Sequence, residues 1–245
     1  MIPGFHAVQE SLLDPISDIR EIWIEEGKRG PRPDEVIRLA KERRVPLFIK
    51  KGAEMERLAP GVQHQGILAF AGGFAYLDVE DLLRRDARRP GFRLFVAADH
   101  ITDEGNLGAL MRTAAFFGVQ GLILPKDRSA KVTGKLLKRT SGAIAKLAVA
   151  QVVNLRRALD ALRDNGFWII GTAGEARETI YGFDWERDTV LVLGSESKGL
   201  SRLVREGCDE LVRIPGRGAV ESLNVSVACG IILGEINRRR QGGKP

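Results

Sequence analysis

The chain has 245 residues, and its 38 Lys and Arg against 32 Asp and Glu give a formal net charge of +6. Hydrophobic residues at 44% and charged residues at 29% are ordinary for a globular protein with one large or two modest domains. No stretch approaches the roughly 18 apolar residues of a membrane span. A charged residue and a proline occur within the first 15 residues, too early for the apolar region of a signal peptide. We therefore expect a cytoplasmic protein.

The first part of the chain alternates short apolar runs with one amphipathic stretch. We predict strands at 20–26, 46–50 and 64–71, with a helix at 33–44 between the first two. A short amphipathic helix and a basic stretch that ends at a Pro-Gly pair follow, and such a change of character favours a domain boundary.

The boundary divides the chain into three predicted parts. We expect a small domain at 1–75, a linker at 76–92 and a larger domain at 93–245.

The larger domain is more regular, because apolar strands alternate with helices along it. The predicted strands are 93–99, 119–125, 167–173, 189–194 and 210–214. Two of the helices, 106–118 and 154–166, begin at an asparagine and end at a glycine, so we expect Asn106 to be an N-cap and Gly118 a terminator. This alternation predicts an α/β fold with a mostly parallel sheet covered on both faces.

The positive charge is concentrated at 83–93, 126–139 and 237–244. Clustered Lys and Arg favour a polyanionic partner such as nucleic acid, although charge alone is equally consistent with a solvated surface. The two cysteines, Cys208 and Cys229, lack metal-ligand spacing. We interpret them as reduced packing residues and expect no metal.

Three predicted strands end in glycine-containing loops, at 171–176, 194–200 and 215–224. Ligands of open parallel sheets bind at the carboxyl ends of the strands, and glycine lets the backbone approach them closely. These loops therefore predict a pocket that binds a small molecule mainly through backbone groups. The dinucleotide fingerprint, the phosphate loop and the serine-hydrolase elbow are all missing from the sequence.

Three segments, "DEGNLGALMRTA", "LVLGSESKGL" and "RIPGRGAVESLNVSVA", resemble in order and spacing the motifs of the SpoU/TrmH group of RNA ribose 2′-O-methyltransferases, which belongs to the SPOUT superfamily. "LILPKDRSA" and "IIGTAGEA" are similar to its bacterial large-subunit (23S) rRNA guanosine subgroup. The N-terminal "GFHAVQESL" and "VQHQGILA" resemble the small L30e-like RNA-binding domain of that subgroup.

The resemblance implies a C-terminal SPOUT domain tied in a deep trefoil knot and S-adenosylmethionine as the methyl donor. Carried over by position, the cofactor contacts fall on Thr172, Gly194, Ile214 and Leu223, mainly through backbone. The resemblance also implies a homodimer formed through the knot region, with helices 106–118 and 220–238 as candidate interface elements.

The functional side chains carried over by the resemblance are Asn106, Arg112, Glu196, Ser222 and Asn224. Three of them have a plainer interpretation: Asn106 could be an ordinary cap, Glu196 a solvated turn residue, and Ser222 the cap of the last helix. Arg112 has the stronger case, because an unpaired arginine in an apolar helix would be costly to bury. We hypothesise that it stays charged, clamps a phosphate and stabilises the developing alkoxide.

We also expect Leu223 to face inward toward the cofactor, and its neighbours Ser222 and Asn224 to face outward to the reacting ribose. Two departures from the subgroup pattern add negative charge near the expected RNA path. Glu104-Gly105 replaces a usual Pro-His pair, and Glu221 replaces a usual serine.

These departures keep other functions open. The alternatives are a tRNA ribose methyltransferase of the same fold, an enzyme acting on an rRNA site of antibiotic resistance, and a catalytically inactive RNA-binding protein of ribosome assembly.

Overall fold

A computed structural model describes residues 1–13, 17–72, 74, 76–86, 91–133, 136, 147–218 and 222–242. The chain forms two compact units, Met1–Ala75 and Tyr76–Pro245.

The first unit is a small α/β domain. Its elements are β1 (Ile2–Pro3), α1 (Phe5–Leu13), β2 (Ile19–Glu25), α2 (Pro31–Glu42), β3 (Leu47–Lys50), α3 (Gly52–Leu58) and β4 (Ile67–Ala71). The strand order is β1-β4-β2-β3, with β2 parallel to β3 and antiparallel to β4. The three predicted strands and the predicted helix are confirmed, whereas β1, α1 and α3 were not predicted.

Helices pack against both faces of this small sheet. Ile22 and Ile24 of β2 face a core that includes Val8 of α1 and Val36 of α2. Alternate residues of the sheet face a smaller cluster around Met55 of α3.

The second unit contains a seven-stranded sheet. Its elements are α4 (Val79–Asp86), β5 (Leu94–Ala98), α5 (Glu104–Phe116), β6 (Gly121–Pro125), β7 (Ala148–Val152), α6 (Leu155–Asp164), β8 (Trp168–Thr172), β9 (Glu178–Thr179), β10 (Thr189–Leu193), α7 (Arg202–Arg205), β11 (Glu210–Arg213) and α8 (Val225–Arg240). The order is β7-β6-β5-β10-β8-β11-β9, and every neighbouring pair is parallel. The predicted parallel α/β fold is confirmed, while the trefoil knot stays a prediction.

The segment predicted as a linker, 76–92, contributes structure to the second unit. Leu77 forms an isolated bridge with the edge strand β7, and Leu82 of α4 is buried. A Cβ on Gly121 would lie 2.7 Å from the methyl groups of Leu82, so this glycine lets α4 pack closely on the sheet.

Two helix starts differ from the prediction. The N-cap of α5 is Asp103, whose Oδ1 accepts the N–H of Asn106 at 2.7 Å, so Asn106 lies inside the first turn. The last helix begins at Val225, with Asn224 as its N-cap, so the reading of Ser222 as the cap is wrong. Aspartate and asparagine both rank among the best N-caps, and pattern alone could not choose between neighbouring candidates.

The three arginines of the basic cluster at 237–244 make contacts within the chain. Arg238 and Arg239 donate to the carboxylate of Glu235. Arg240 donates to the backbone carbonyls of Trp185 and Arg187, at 3.0 and 2.6 Å. The clusters at 83–93 and 126–139 lie partly outside the described residues.

Candidate functional site

Three strand ends meet at the centre of the large sheet. Strand β8 lies between β10 and β11, and the registers Gly171–Val192 and Thr172–Val212 bring their carboxyl ends level. The three glycine-containing loops therefore leave the same edge of the sheet. This is the edge at which ligands of open parallel sheets bind.

The loop after β10 is a tight hairpin. The N–H of Ser195 donates to the carbonyl of Gly199 at 3.0 Å, and the N–H of Gly199 donates back at 2.8 Å. A Cβ on Gly194 would collide with the backbone of Gly199, which itself has a φ of +63°. Only glycine fits these two positions without strain, and the hairpin presents Glu196 at its tip.

Glu196 gathers residues from all three motifs. Its Oε1 accepts hydrogen bonds from Asn106 Nδ2 at 3.1 Å, from Asn224 Nδ2 at 2.6 Å and from the N–H of Val225 at 3.3 Å. Asn224 Nδ2 also donates to Asn106 Oδ1 at 2.8 Å. We call Asn106, Glu196 and Asn224 the amide–carboxylate cluster. Its contacts exclude the reading of Glu196 as a merely solvated turn residue.

The two polar atoms of the Asn224 side chain have different partners, one in the cluster and one in the last helix. Its Oδ1 caps α8 by accepting the N–H of Ser226 at 2.9 Å, while its Nδ2 points to Glu196. The negative charge of Glu196 thus lies at the N-terminus of α8, where the helix dipole stabilises an anion.

Arg112 and Ser222 are not part of the cluster. Arg112 is exposed in a groove along α5, and Ser222 is exposed before α8. The argument from the cost of burying Arg112 is therefore wrong for this chain, because its guanidinium faces solvent. Neither side chain has a hydrogen-bond or ion-pair partner among the described residues, so both are free to contact a substrate.

The residues expected to contact the cofactor occupy the strand ends. Thr172 closes β8 and donates through Oγ1 to the carbonyl of Val192 at 3.2 Å. Ile214 directly follows β11 and is half-buried. Leu223, which we expected to face inward, is 46% exposed, because its neighbour Asn224 makes the inward contact with the hairpin. Glu221 lies outside the described residues.

One buried carboxylate was not predicted from the sequence. Asp99 directly follows β5 and is 1% exposed. Its Oδ2 accepts the N–H of Ser201 at 2.7 Å, which ties the base of the hairpin to the end of β5, and its Oδ1 lies 2.6 Å from His100 Nδ1. An aspartate at the carboxyl end of an apolar strand was the available signal. His100 lies in the loop before α5.

The thiols are packing groups, as predicted. Burial raises the pKa of Cys208 and that of Cys229 to about 12. Within the described ranges, His, Cys, Asp and Glu form no group of three that could hold a metal ion. None of the helices that the structure describes combines the length and apolar character of a membrane-spanning segment.

Known proteins match this chain over its whole length. The SpoU rRNA methylase family model matches residues 93–234, and the model for RNA 2′-O ribose methyltransferase substrate binding matches residues 1–77. The chain is 42% identical to the 23S rRNA (guanosine-2′-O-)-methyltransferase RlmB of Pseudomonas aeruginosa, over 97% of this chain and 95% of that protein. It is 35% identical to the putative TrmH family tRNA/rRNA methyltransferase YacO of Bacillus subtilis, over 97% and 94% of the two chains.

Solved structures agree with this assignment. The A. aeolicus TrmH/SpoU tRNA modifying enzyme is 32% identical and superposes with a TM-score of 0.56, covering 67% of this chain and 85% of its own. The SpoU methyltransferase AviRb from Streptomyces viridochromogenes, at 24% identity, shares the fold with a TM-score of 0.68 over 99% of this chain and 90% of its own. On these matches, the chain belongs to the SpoU rRNA methylase family.

Proposed function

We propose that the protein transfers a methyl group from S-adenosylmethionine to the ribose 2′-hydroxyl of a guanosine in 23S rRNA. The observation that carries the proposal is the amide–carboxylate cluster, in which side chains from three separate motifs meet beside the ends of β8, β10 and β11. Full-length similarity to a relative named for this reaction supports it.

The strand-end loops suit a cofactor held through backbone groups. A Cβ on Gly174 or Gly216 would meet no atom within 4 Å, so the backbone of two loops faces open space that a ligand can enter. Thr172, Gly194, Ile214 and Leu223 would hold S-adenosylmethionine there. When bound, it supplies an electrophilic methyl group on a sulfonium.

The chain's own residues would align the acceptor ribose. The amide–carboxylate cluster offers fixed polar atoms beside the loops, and Ser222 stands free next to it. Arg112 would stay charged, bind a phosphate of the RNA and stabilise the developing alkoxide, since an arginine is protonated at physiological pH and donates in a fork. The proton would then leave to solvent or to a phosphate oxygen.

The two units would have different roles in the reaction. The first unit, which matches the substrate-binding model, would grip folded rRNA while the second carries out the methyl transfer. We propose that the reaction takes place in the cytoplasm.

We extend the proposal to a homodimer built on α5 and α8, which pack against each other within one chain. Phe116 of α5 is 84% exposed, and Val227 of α8 is 50% exposed. A glutamate in place of Phe116 would put a charge into the apolar contact, so Phe116→Glu should sediment as a monomer in analytical ultracentrifugation. A wild-type chain that sediments as a monomer would contradict the dimer.

Methyl transfer from tritiated S-adenosylmethionine tests the function. The substrates are 23S rRNA and tRNA, both purified from a strain that lacks the gene. Label in 23S rRNA, mapped to a guanosine 2′-oxygen, is the expected result.

Two alternatives have their own readouts. Label in tRNA alone would favour the tRNA enzyme, which the TrmH relatives suggest. Calorimetric absence of S-adenosylmethionine binding would favour the inactive assembly protein, which the Glu104-Gly105 departure suggests.

A further inference from the structure

Two unpaired charges face the same groove on α5. The groove has a volume of about 390 Å³ and is lined by Glu104, Gly105, Ala109, Arg112 and Thr113, among others. Glu104 is exposed in the first turn of the helix, and Arg112 is exposed two turns later. Neither charge has a hydrogen-bond or ion-pair partner within the described part of the chain. Among the described residues that line it, the groove therefore carries a negative charge at one end and a positive charge at the other.

The spacing of these charges matches one nucleotide. Eight residues separate Glu104 from Arg112, about 12 Å along a helix that rises 1.5 Å per residue. The lining between them includes the small residues Gly105 and Ala109, which leave room against the helix. Asn106, and with it the amide–carboxylate cluster, lies at the margin of the same face.

We propose that Glu104 determines specificity by accepting hydrogen bonds from N1–H and the 2-amino group of the target guanine. This inference rests on the proposed function, because it places the reacting ribose beside the cluster and a backbone phosphate on Arg112. The base then extends toward the negative end of the groove. Bases of single-stranded RNA are commonly read in this way, on their Watson–Crick edges.

The chemistry of the four bases makes a carboxylate selective. Guanine presents two adjacent N–H donors on its Watson–Crick edge, and an ionised carboxylate offers two acceptors to match them. Adenine and cytosine present one amino donor beside a ring-nitrogen acceptor, while uracil presents one N–H between two carbonyls. Each of these places an acceptor against the Glu104 carboxylate, so the side chain would reject them by repulsion as well as by lost bonds.

The test uses synthetic RNA with guanosine, inosine or adenosine at the mapped methylation position. Inosine lacks only the 2-amino group. For the wild type we expect kcat/KM to be about tenfold or more lower on inosine than on guanosine, since a hydrogen bond to a charged group is at stake. In Glu104→Ala the guanosine-to-inosine ratio should fall close to one.

Glu104→Gln gives a second, sharper result. A carboxamide carries one acceptor and one donor, which match the amino group and N1 of adenine. We expect the adenosine-to-guanosine ratio of kcat/KM to rise at least tenfold in this variant. Because glutamine is nearly isosteric with glutamate, this measurement also stands if Glu104→Ala fails to fold.

A matched control removes another exposed carboxylate from a first helical turn. Glu80→Ala in α4 should leave all the ratios unchanged. If the wild type methylates guanosine but both Glu104 variants keep its discrimination, the role of Glu104 is overturned and the proposed function stands. If the wild type methylates no RNA, the proposed function is overturned, and the role of Glu104 with it.

Discussion

Replacing Glu196 tests whether its carboxylate holds the site together. In Glu196→Ala, one oxygen that accepts three N–H groups is lost. The amide groups of Asn106 and Asn224 are in exposed contacts and can bind water, whereas the N–H of Val225 is part-buried. We assign each bond its net value of about 0.5–1.5 kcal/mol. Together with the lost charge at the start of α8, worth about 0.3–1 kcal/mol, the variant should lose about 2–5 kcal/mol of unfolding free energy.

The assay compares stability and activity of the same variants. For a unit of this size, the loss corresponds to a decrease in Tm of about 4–20 °C, measured by circular dichroism. Glu196→Gln keeps an acceptor but loses the charge, so it should lose about 1 kcal/mol. We expect kcat/KM for methyl transfer to fall more than about tenfold in both variants, because Asn106 and Asn224 lose their common anchor.

A surface carboxylate provides the control. Glu206 forms an exposed ion pair with Arg202 at 2.9 Å, and such pairs contribute about 0–1 kcal/mol, so Glu206→Ala should be nearly silent. If Glu196→Ala is as silent as Glu206→Ala in both assays, the reasoning from the cluster is refuted.

Three further predictions concern other groups. Asp99→Ala should lose about 2–3 kcal/mol in denaturant unfolding and lower kcat, because it leaves the part-buried N–H of Ser201 unpaired and removes the contact between β5 and the hairpin. Unchanged values would show that this contact contributes neither to stability nor to activity. Arg112→Lys should lower kcat/KM with a pH profile parallel to wild type, whereas activity that climbs toward about pH 10, the ordinary pKa of lysine, would favour a base. Because the folded pKa values of Cys208 and Cys229, about 12, exceed the ordinary thiol value, their contribution to stability is present below about pH 8.5 and is lost as pH rises toward 12. The double alanine variant should therefore show a shallower alkaline loss of unfolding free energy, and equal slopes would contradict the assignment.

The fold was predictable where hydrophobic pattern decides structure. Strand β5 consists wholly of buried apolar residues, and β10 is buried and apolar after Thr189. This composition is typical of a parallel sheet covered on both faces. The short β1 and β9, of two residues each, carry too little pattern to be recognised and exist only because a neighbouring strand pairs with them.

The site was predictable in its residues but not in its contacts. The three motifs were recognisable along the chain, yet the meeting of Asn106, Glu196 and Asn224 depends on β10 lying between β5 and β8, which no local pattern encodes. The tie from Asp99 to the hairpin spans 102 positions and depends on the same strand order.

Asn224 both caps α8 and binds Glu196, and this double role determines when a newly synthesised chain can become active. The carboxamide oxygen of Asn224 caps α8, and its nitrogen donates a hydrogen bond to Glu196 of the hairpin. Until α8 has been synthesised and has docked, the hairpin lacks its contact with Asn224. A nascent chain in which α8 has not yet docked would therefore be inactive in methyl transfer. The enzyme would become active only when α8 docks.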